Sequence, residues 1–299
     1  MNRAEIFDRN RPLLFSIAYR MTGSVMEAED AVQEAYLRWQ QASEDEVRSP
    51  SAYLSKVVTR LCIDRLRSAR VRREHYVGHW LPEPVFGEQG QEIESKAELE
   101  DTLSMAFLVL LESLSPVERA VFLLREVFGY EYAEIAALVG KSEANCRQIS
   151  RRARQSVAAR RPRFESSPQQ EERLMESFLQ ASLSGDMEAL LALLSDDVTL
   201  YSDGGGKARA ALNPIYGAEN VAQFLTGILR NIPPGFTVRQ TRVNGRPGLV
   251  GYFGDGSPQS VVSPEVAEGS IRAIRLVINP EKLENVPPLE QAEREEDSG

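Results

Sequence analysis

The sequence predicts a multidomain fold: two all-α domains, the second built on a helix-turn-helix, followed by an α+β domain. Three observations carry this expectation. Apolar residues recur at helical spacing through residues 1–73 and again through 96–163. The stretch between them, 74–95, loses periodicity and fills with proline, glycine and glutamate, so it reads as a linker. Beyond residue 194 short strand-like runs replace most of the helical pattern, an order typical of α+β folds. The α+β domain is set at 168–286, and residues 287–299 form an acidic, proline-flanked tail.

In the first domain, Leu13, Leu14, Ile17, Ala18 and Met21 share a helical face and Gly23 suits a C-cap. Ser24 and Glu27 have capping-box spacing and open a second helix with Ala28, Val32, Ala35, Tyr36 and Trp39 inward. Ser49 and Pro50 start a third, with Leu54, Val57, Val58, Leu61 and Leu66 inward and its basic residues outward. In the second domain a helix is expected from about Ile93 to Leu114. Ser115, Pro116 and Glu118 then cap a helix running to about Phe128. Glu131 to Val139 is a short helix stopped by Gly140, and Ser142 caps a last basic helix to about Arg161.

After the segment FESSPQQ, helices are expected at Glu171–Leu183, Met187–Leu194 and Ala218–Arg230. Strands are expected at Thr237–Val243, Gly248–Tyr252, Gln259–Val262 and Ile271–Ile278.

The chain has 299 residues and a formal net charge of −9, which argues against a protein that coats nucleic acid. The charge is nevertheless partitioned. From Arg48 to Arg73 the one acid is Asp64, and from Lys141 to Arg163 it is Glu143. Two such basic runs point to two nucleic-acid contacts held apart. No apolar run approaches the roughly 18 residues of a membrane span, and the polar start MNRAEIFDRN lacks a signal-peptide core. Cys62 and Cys146 lie in different helical segments, so no disulfide scaffold is expected and the reducing cytoplasm is the expected location. With His75 and His79 they form no metal-ligand spacing, and no cofactor or catalytic set is read.

Glu131 to Arg154 has the layout of a helix-turn-helix. On its second helix Cys146, Ser150, Ala153 and Val157 share a small or apolar face. Ser142, Asn145, Arg147, Gln148, Arg151 and Arg152 are the candidate DNA contacts, because Asn and Gln pair with adenine while Arg reaches guanine or phosphate. In the third helix Lys56, Arg60, Arg65 and Arg67 can track phosphates, and Tyr53 can stack on an unpaired base. Glu27, Asp30 and Glu34, with Gln33 between them, make an acidic stripe opposite the apolar face, which needs a basic protein partner rather than phosphate.

Glu27–Trp39 (EAEDAVQEAYLRW), Ser51–Arg70 (SAYLSKVVTRLCIDRLRSAR) and Leu114–Arg154 resemble three segments of the extracytoplasmic-function (ECF) sigma factors. The resemblance implies, in order, the helix that grips the β′ clamp helices of RNA polymerase, the −10 promoter segment, and the −35 domain, which also meets the β flap. The implied partners are core RNA polymerase and promoter DNA. Two departures stand out. Arg60 occupies the place, four residues before Asp64, where the class commonly has Asn. The recognition helix opens Ser142-Glu143-Ala144-Asn145 in place of small-Gly-Thr-Val, so the promoter sequence read does not follow.

The last third resembles the SnoaL-like fold, a cone-shaped curved sheet wrapped by helices around a pocket. Trp80-Leu81-Pro82-Glu83-Pro84, Asp203-Gly204-Gly205-Gly206-Lys207 and Asn279-Pro280-Glu281-Lys282-Leu283 resemble the signature of ECF sigma factors with a fused SnoaL-like extension. That resemblance implies regulation in cis, with these three segments in contact, and leaves room for an unidentified small-molecule ligand in the pocket. Trp80 packing on the helix near Ile93 is the plainer alternative, and DGGGK lacks phosphate-loop spacing, so a simple connecting loop also fits it. Two other functions remain open: an enzymatic extension with Asp203 as base beside Tyr201 or Tyr216, and a ligand-sensing helix-turn-helix repressor.

Overall fold

A computed structural model describes residues 2–43, 49–73, 75–86, 102–160 and 167–289, with the side chains of 70–73 left aside. The expected helix start near Ile93, the tail beyond 289, Arg48, Arg161 and Arg163 lie outside the described residues. The chain divides into two compact units. The first holds the helices up to residue 160; the second holds residues 76–86, 104–106 and everything from 167 onward.

Helices α1 (Arg3–Thr22), α2 (Val25–Gln41) and α3 (Pro50–Arg73) open the first unit. Gly23 closes α1 in the left-handed conformation (φ 69°), where a side chain would be strained. The Ser24 hydroxyl accepts from the Glu27 amide at 3.1 Å to start α2. Leu14, Phe15, Ile17, Ala28, Val32, Ala35, Leu54 and Val58 form the buried seam of these three helices.

α4 (Met105–Leu111) leads to α5 (Pro116–Phe122), which carries the expected Ser115/Glu118 capping box and first-turn proline. A π-turn over Leu123–Val127 follows. α6 (Tyr132–Val139) ends at left-handed Gly140, and Ser142 caps α7 (Glu143–Ala158), the second helix of the motif. The two helical parts pack into one unit, with α3 lying against α5 and α6. Arg119, 3% exposed, ties them: it donates to the Met21 carbonyl at the end of α1 and to Glu112, both at 2.7 Å.

The second unit is α+β, as expected. α8 (Pro168–Ser184) starts three residues before the expected Glu171, because Ser167, Pro168 and Gln170 supply a cap, a first-turn proline and a capping-box partner. α9 (Met187–Leu193) runs straight into β1 (Leu194–Asp203), and β2 (Ile215–Tyr216) precedes α10 (Ala218–Leu229). Strands β3 (Thr237–Val243), β4 (Arg246–Tyr252), β5 (Pro258–Ala267) and β6 (Ser270–Val277) complete a sheet of order β2-β1-β6-β5-β4-β3. β5 extends five residues past the expected Val262. Its last turn-flanking half pairs with β6, a long-range contact that composition does not announce. Only β1 and β6 run parallel, so Asp203 and Val277 end side by side. The core between helices and sheet holds Met175, Phe178, Leu190, Val198, Leu200, Val221, Leu249 and Ile274.

Candidate functional site

The helix-turn-helix presents the predicted residues on one surface. Cys146, Ile149, Ser150, Ala153 and Val157 are buried against the neighbouring helices. Ser142, Asn145, Arg147, Gln148, Arg151 and Arg152 are all exposed. The Ser142 hydroxyl is spent on the helix start, accepting from the Asn145 amide at 3.3 Å. Arg147 is held by Glu143 one turn earlier and lies over the Tyr132 ring, 5.3 Å from its centroid. Arg151 and Arg152 have no ion-pair partner among the described residues, so their guanidinium groups are free to meet base edges or phosphates.

On the third helix Arg60 and Arg67 are exposed while Lys56 and Arg65 are half-buried. Arg60 donates from Nε to the Leu138 carbonyl at 3.0 Å, covering one of the orphan acceptors at the end of α6. Arg65 donates to the Glu27 carbonyl at 2.8 Å and pairs with Asp30 at 3.6 Å. Tyr53 packs its ring 5.9 Å from Trp39. Arg60 stays exposed, as expected of the basic set, while Arg65 and Tyr53 are half-buried by the packing of α3 on its neighbours. Lys56 is half-buried, and Arg67 is exposed and paired with Asp64 at 3.1 Å. Ser55, absent from the expectations, is fully buried and shares a 2.9 Å hydrogen bond with the Tyr130 hydroxyl.

On α2, Asp30 and Gln33 are exposed, while Glu34 is bound to Arg38 at 2.9 Å. Glu27 is only half exposed, so it sits at the edge of the stripe rather than in it. Sequence reasoning missed Met26 and Leu37, which are 64% and 54% exposed. Met26, Asp30, Gln33 and Leu37 follow one helical row, so two large apolar side chains flank the acidic centre.

In the second unit the three signature segments meet. Asp203, fully buried at the end of β1, is the hub. Its Oδ1 accepts from the Tyr76 hydroxyl at 2.6 Å and the Gly205 amide at 3.1 Å; its Oδ2 accepts from the Leu81 amide at 2.8 Å and Lys282 Nζ at 2.7 Å. Lys282 also donates to the Leu81 carbonyl and stands 4.3 Å from the Trp80 ring centroid. Trp80 is half-buried, and Leu81, Pro82, Glu83 and Pro84 are buried. Residues 76–86, read from composition as linker, are therefore a packed part of this unit. Val85 and Asn244 fix the far end, the Asn244 amide donating to the Val85 carbonyl at 3.0 Å.

The glycines follow from this crowding. A Cβ on Gly205, whose φ is 58°, would overlap the Asn279 side chain, and one on Gly204 would strike the Ala208 carbonyl. Asn279 caps the short 3-10 turn Pro280–Lys282 and donates to the Tyr76 hydroxyl at 3.1 Å. Lys207 pairs with Glu281, and Leu283 is buried. Burial and the adjoining Asp203 carboxylate push the Tyr76 phenol above its ordinary pKa. Burial lowers that of His79, whose ring lies tilted against Tyr201 at 4.6 Å. Among the described residues no His, Cys, Asp and Glu cluster could hold a metal, and no helix is long and apolar enough to cross a membrane.

A helix-turn-helix with an exposed arginine face, behind a helical domain bearing an exposed acidic row, is the arrangement of a promoter-recognition protein. Residues 6–72 match the family described as Sigma-70 region 2, and 104–157 match Sigma-70, region 4. Over 297 residues the chain is 36% identical to the ECF RNA polymerase sigma factor SigJ of Mycobacterium tuberculosis, covering 95% of this chain and 94% of that one. It is 31% identical over 278 residues to the probable ECF sigma factor SigI of the same species, covering 92% of each. The crystal structure of Mycobacterium tuberculosis SigJ superposes with a TM-score of 0.77 at 33% identity, over 95% of this chain and 99% of that one. The chain belongs to the ECF RNA polymerase sigma factors. As such it works with core RNA polymerase, recognises promoter DNA and initiates transcription.

Proposed function

We propose that this sigma factor is regulated in cis, through the seating of its linker in the SnoaL-like unit. The observation that carries the reading is the Asp203 hub. A fully buried carboxylate and Lys282 are committed to holding Tyr76 and Leu81, residues that join the two promoter-binding domains. In this reading Asp30, Gln33 and Glu34, with Met26 and Leu37, grip the β′ clamp helices, and the second helical domain meets the β flap. Lys56, Arg60, Arg67, Arg65 and Tyr53 serve the −10 element, the last two after α3 parts from its neighbours. Asn145, Arg147, Gln148, Arg151 and Arg152 serve the −35 element, and the protein acts in the cytoplasm.

The SnoaL-like unit is regulatory rather than catalytic. Asp203, the candidate base, already accepts four hydrogen bonds and has no free lone pair aimed at a cavity. Run-off transcription with core polymerase on the gene's own upstream region tests the proposal. Lys282→Met, which empties the hub of its cation, should change output several-fold while polymerase binding persists. Unchanged output and promoter preference would sink it.

A further inference from the structure

The second unit also encloses a cavity of about 200 Å³ that the linker does not fill. Register explains its floor. Leu249, Val262 and Leu276 sit side by side on β4, β5 and β6, with Gly251 and Ser260 forming the next row on the same face. α8 and α10 roof it with Phe178, Leu225 and Leu229. Among the described residues lining it there is no Asp, Glu, His, Lys, Cys or Tyr, so it holds no general acid or base.

Five polar side chains interrupt this apolar wall: Ser182, Arg209, Asn231, Gln259 and Ser260. Ser182 lines the space and is 8% exposed, and its buried hydroxyl has no hydrogen-bond partner among the described residues. Serine in a helix ordinarily bonds back to the carbonyl four residues earlier, so an unpartnered buried hydroxyl is waiting for an acceptor. Arg209 contributes the lining's single charge, exposed and without an ion-pair partner among the described residues. An apolar cavity of about 150 Å³ accommodates benzene, so this one suits a body of roughly eight to eleven non-hydrogen atoms.

We propose that the cavity binds a small apolar monocarboxylate carrying a second oxygen, and that its occupancy is felt at the linker. The carboxylate meets Arg209, the second oxygen meets the polar side chains of the lining (Ser182, Asn231, Gln259 and Ser260), and the ring or acyl body fills the space between. The route to the linker is covalent and short. Ile278 on the cavity wall adjoins Asn279, and Arg209 lies two residues past Lys207, so both halves of the Asp203 hub begin at the cavity. The coupling rests on the cis-regulatory reading above; the binding site does not.

Calorimetry on the full chain, with 4-hydroxybenzoate and 3-hydroxyoctanoate as probes, tests the site. At least one should bind saturably, with a negative heat-capacity change from apolar burial. Arg209→Gln should weaken that binding about ten- to hundredfold, as expected for loss of a charged hydrogen bond. Ile228→Trp, a change at an exposed position on the rim, should block it. Emission from Trp80, beside the Lys282 ammonium, should shift on binding, and the shift should vanish in Trp80→Phe. Absence of saturable binding, equal affinity for neutral 4-hydroxybenzamide, or full affinity in Ile228→Trp would overturn the site. Binding with Trp80 emission unmoved overturns the coupling alone, whereas a transcriptional effect of Lys282→Met without any binding overturns the site and leaves the regulatory reading intact.

Discussion

Asp203 shows how much a single buried charge can organise. Removing its partner strands a carboxylate with no exposure, and breaking a buried ion pair costs about 3–5 kcal/mol. Lys282→Met should lower the stability of the second unit by that amount in urea unfolding followed by Trp80 fluorescence. Tyr76→Phe, which loses one hydrogen bond, should cost only about 1 kcal/mol. His79 adds a pH dependence. Burial holds its pKa below the ordinary 6.5, against the pull of Asp203 and with help from Arg275 and Lys282. The unfolded chain therefore takes up the proton first, so its contribution to stability is full above pH 6.5 and is lost as pH falls toward the lowered folded value. His79→Gln should flatten stability between about pH 7 and 5; an unchanged slope would remove His79 from the account. Asp203 and Lys282 were legible in the sequence as parts of recognisable segments. Tyr76 was not, because its partner lies 127 residues away and nothing local marks the tyrosine as anything but a surface residue.

Elements were read well where local chemistry decides them. Ser115-Pro116 with Glu118, and Gly140 before Ser142, fixed the ends of α5, α6 and α7 through caps and backbone conformation alone. The face of α7 followed from period, since the same spacing that buries Cys146 and Ala153 must expose Gln148 and Arg152. On α3 the period leaves Arg60 and Arg67 exposed, but the carbonyls that Arg60 and Arg65 serve could not be read, because only the tertiary arrangement supplies them. β2, two residues long, leaves no periodic trace at all. Gly140 makes the local rule testable. Its φ of 67° costs an L-residue roughly 1–2 kcal/mol, so Gly140→Ala should destabilise the helical unit by about that much in thermal unfolding. Stability equal to the parent would mean that the turn relaxes to another conformation.

At the scale of the whole molecule, a chain of net charge −9 recognises a polyanion, in the proposed reading through the two basic helices α3 and α7. Binding of the polymerase complex to promoter DNA should therefore fall steeply with salt, about 0.9 log units per log unit of salt for each phosphate neutralised. Arg152→Ala should cost about 1–3 kcal/mol with relaxed preference at one −35 position if the residue reads a base, and a uniform loss across promoters would assign it to phosphate. Asp30→Lys with Gln33→Lys should abolish co-purification with core enzyme while leaving stability nearly unchanged, since both are exposed; retained co-purification would refute the stripe as the docking face. The parallel pairing of β1 with β6 has one more consequence, and it concerns time. Lys282 follows Leu81 by 201 residues, so at a synthesis rate of about 5–20 residues per second it emerges roughly 10–40 s later. The helical segments leave the ribosome long before the strand that seats their linker exists. On the proposed cis-regulatory reading, each newborn molecule thus passes through an interval in which its promoter-binding domains have been made but their linker has no seat.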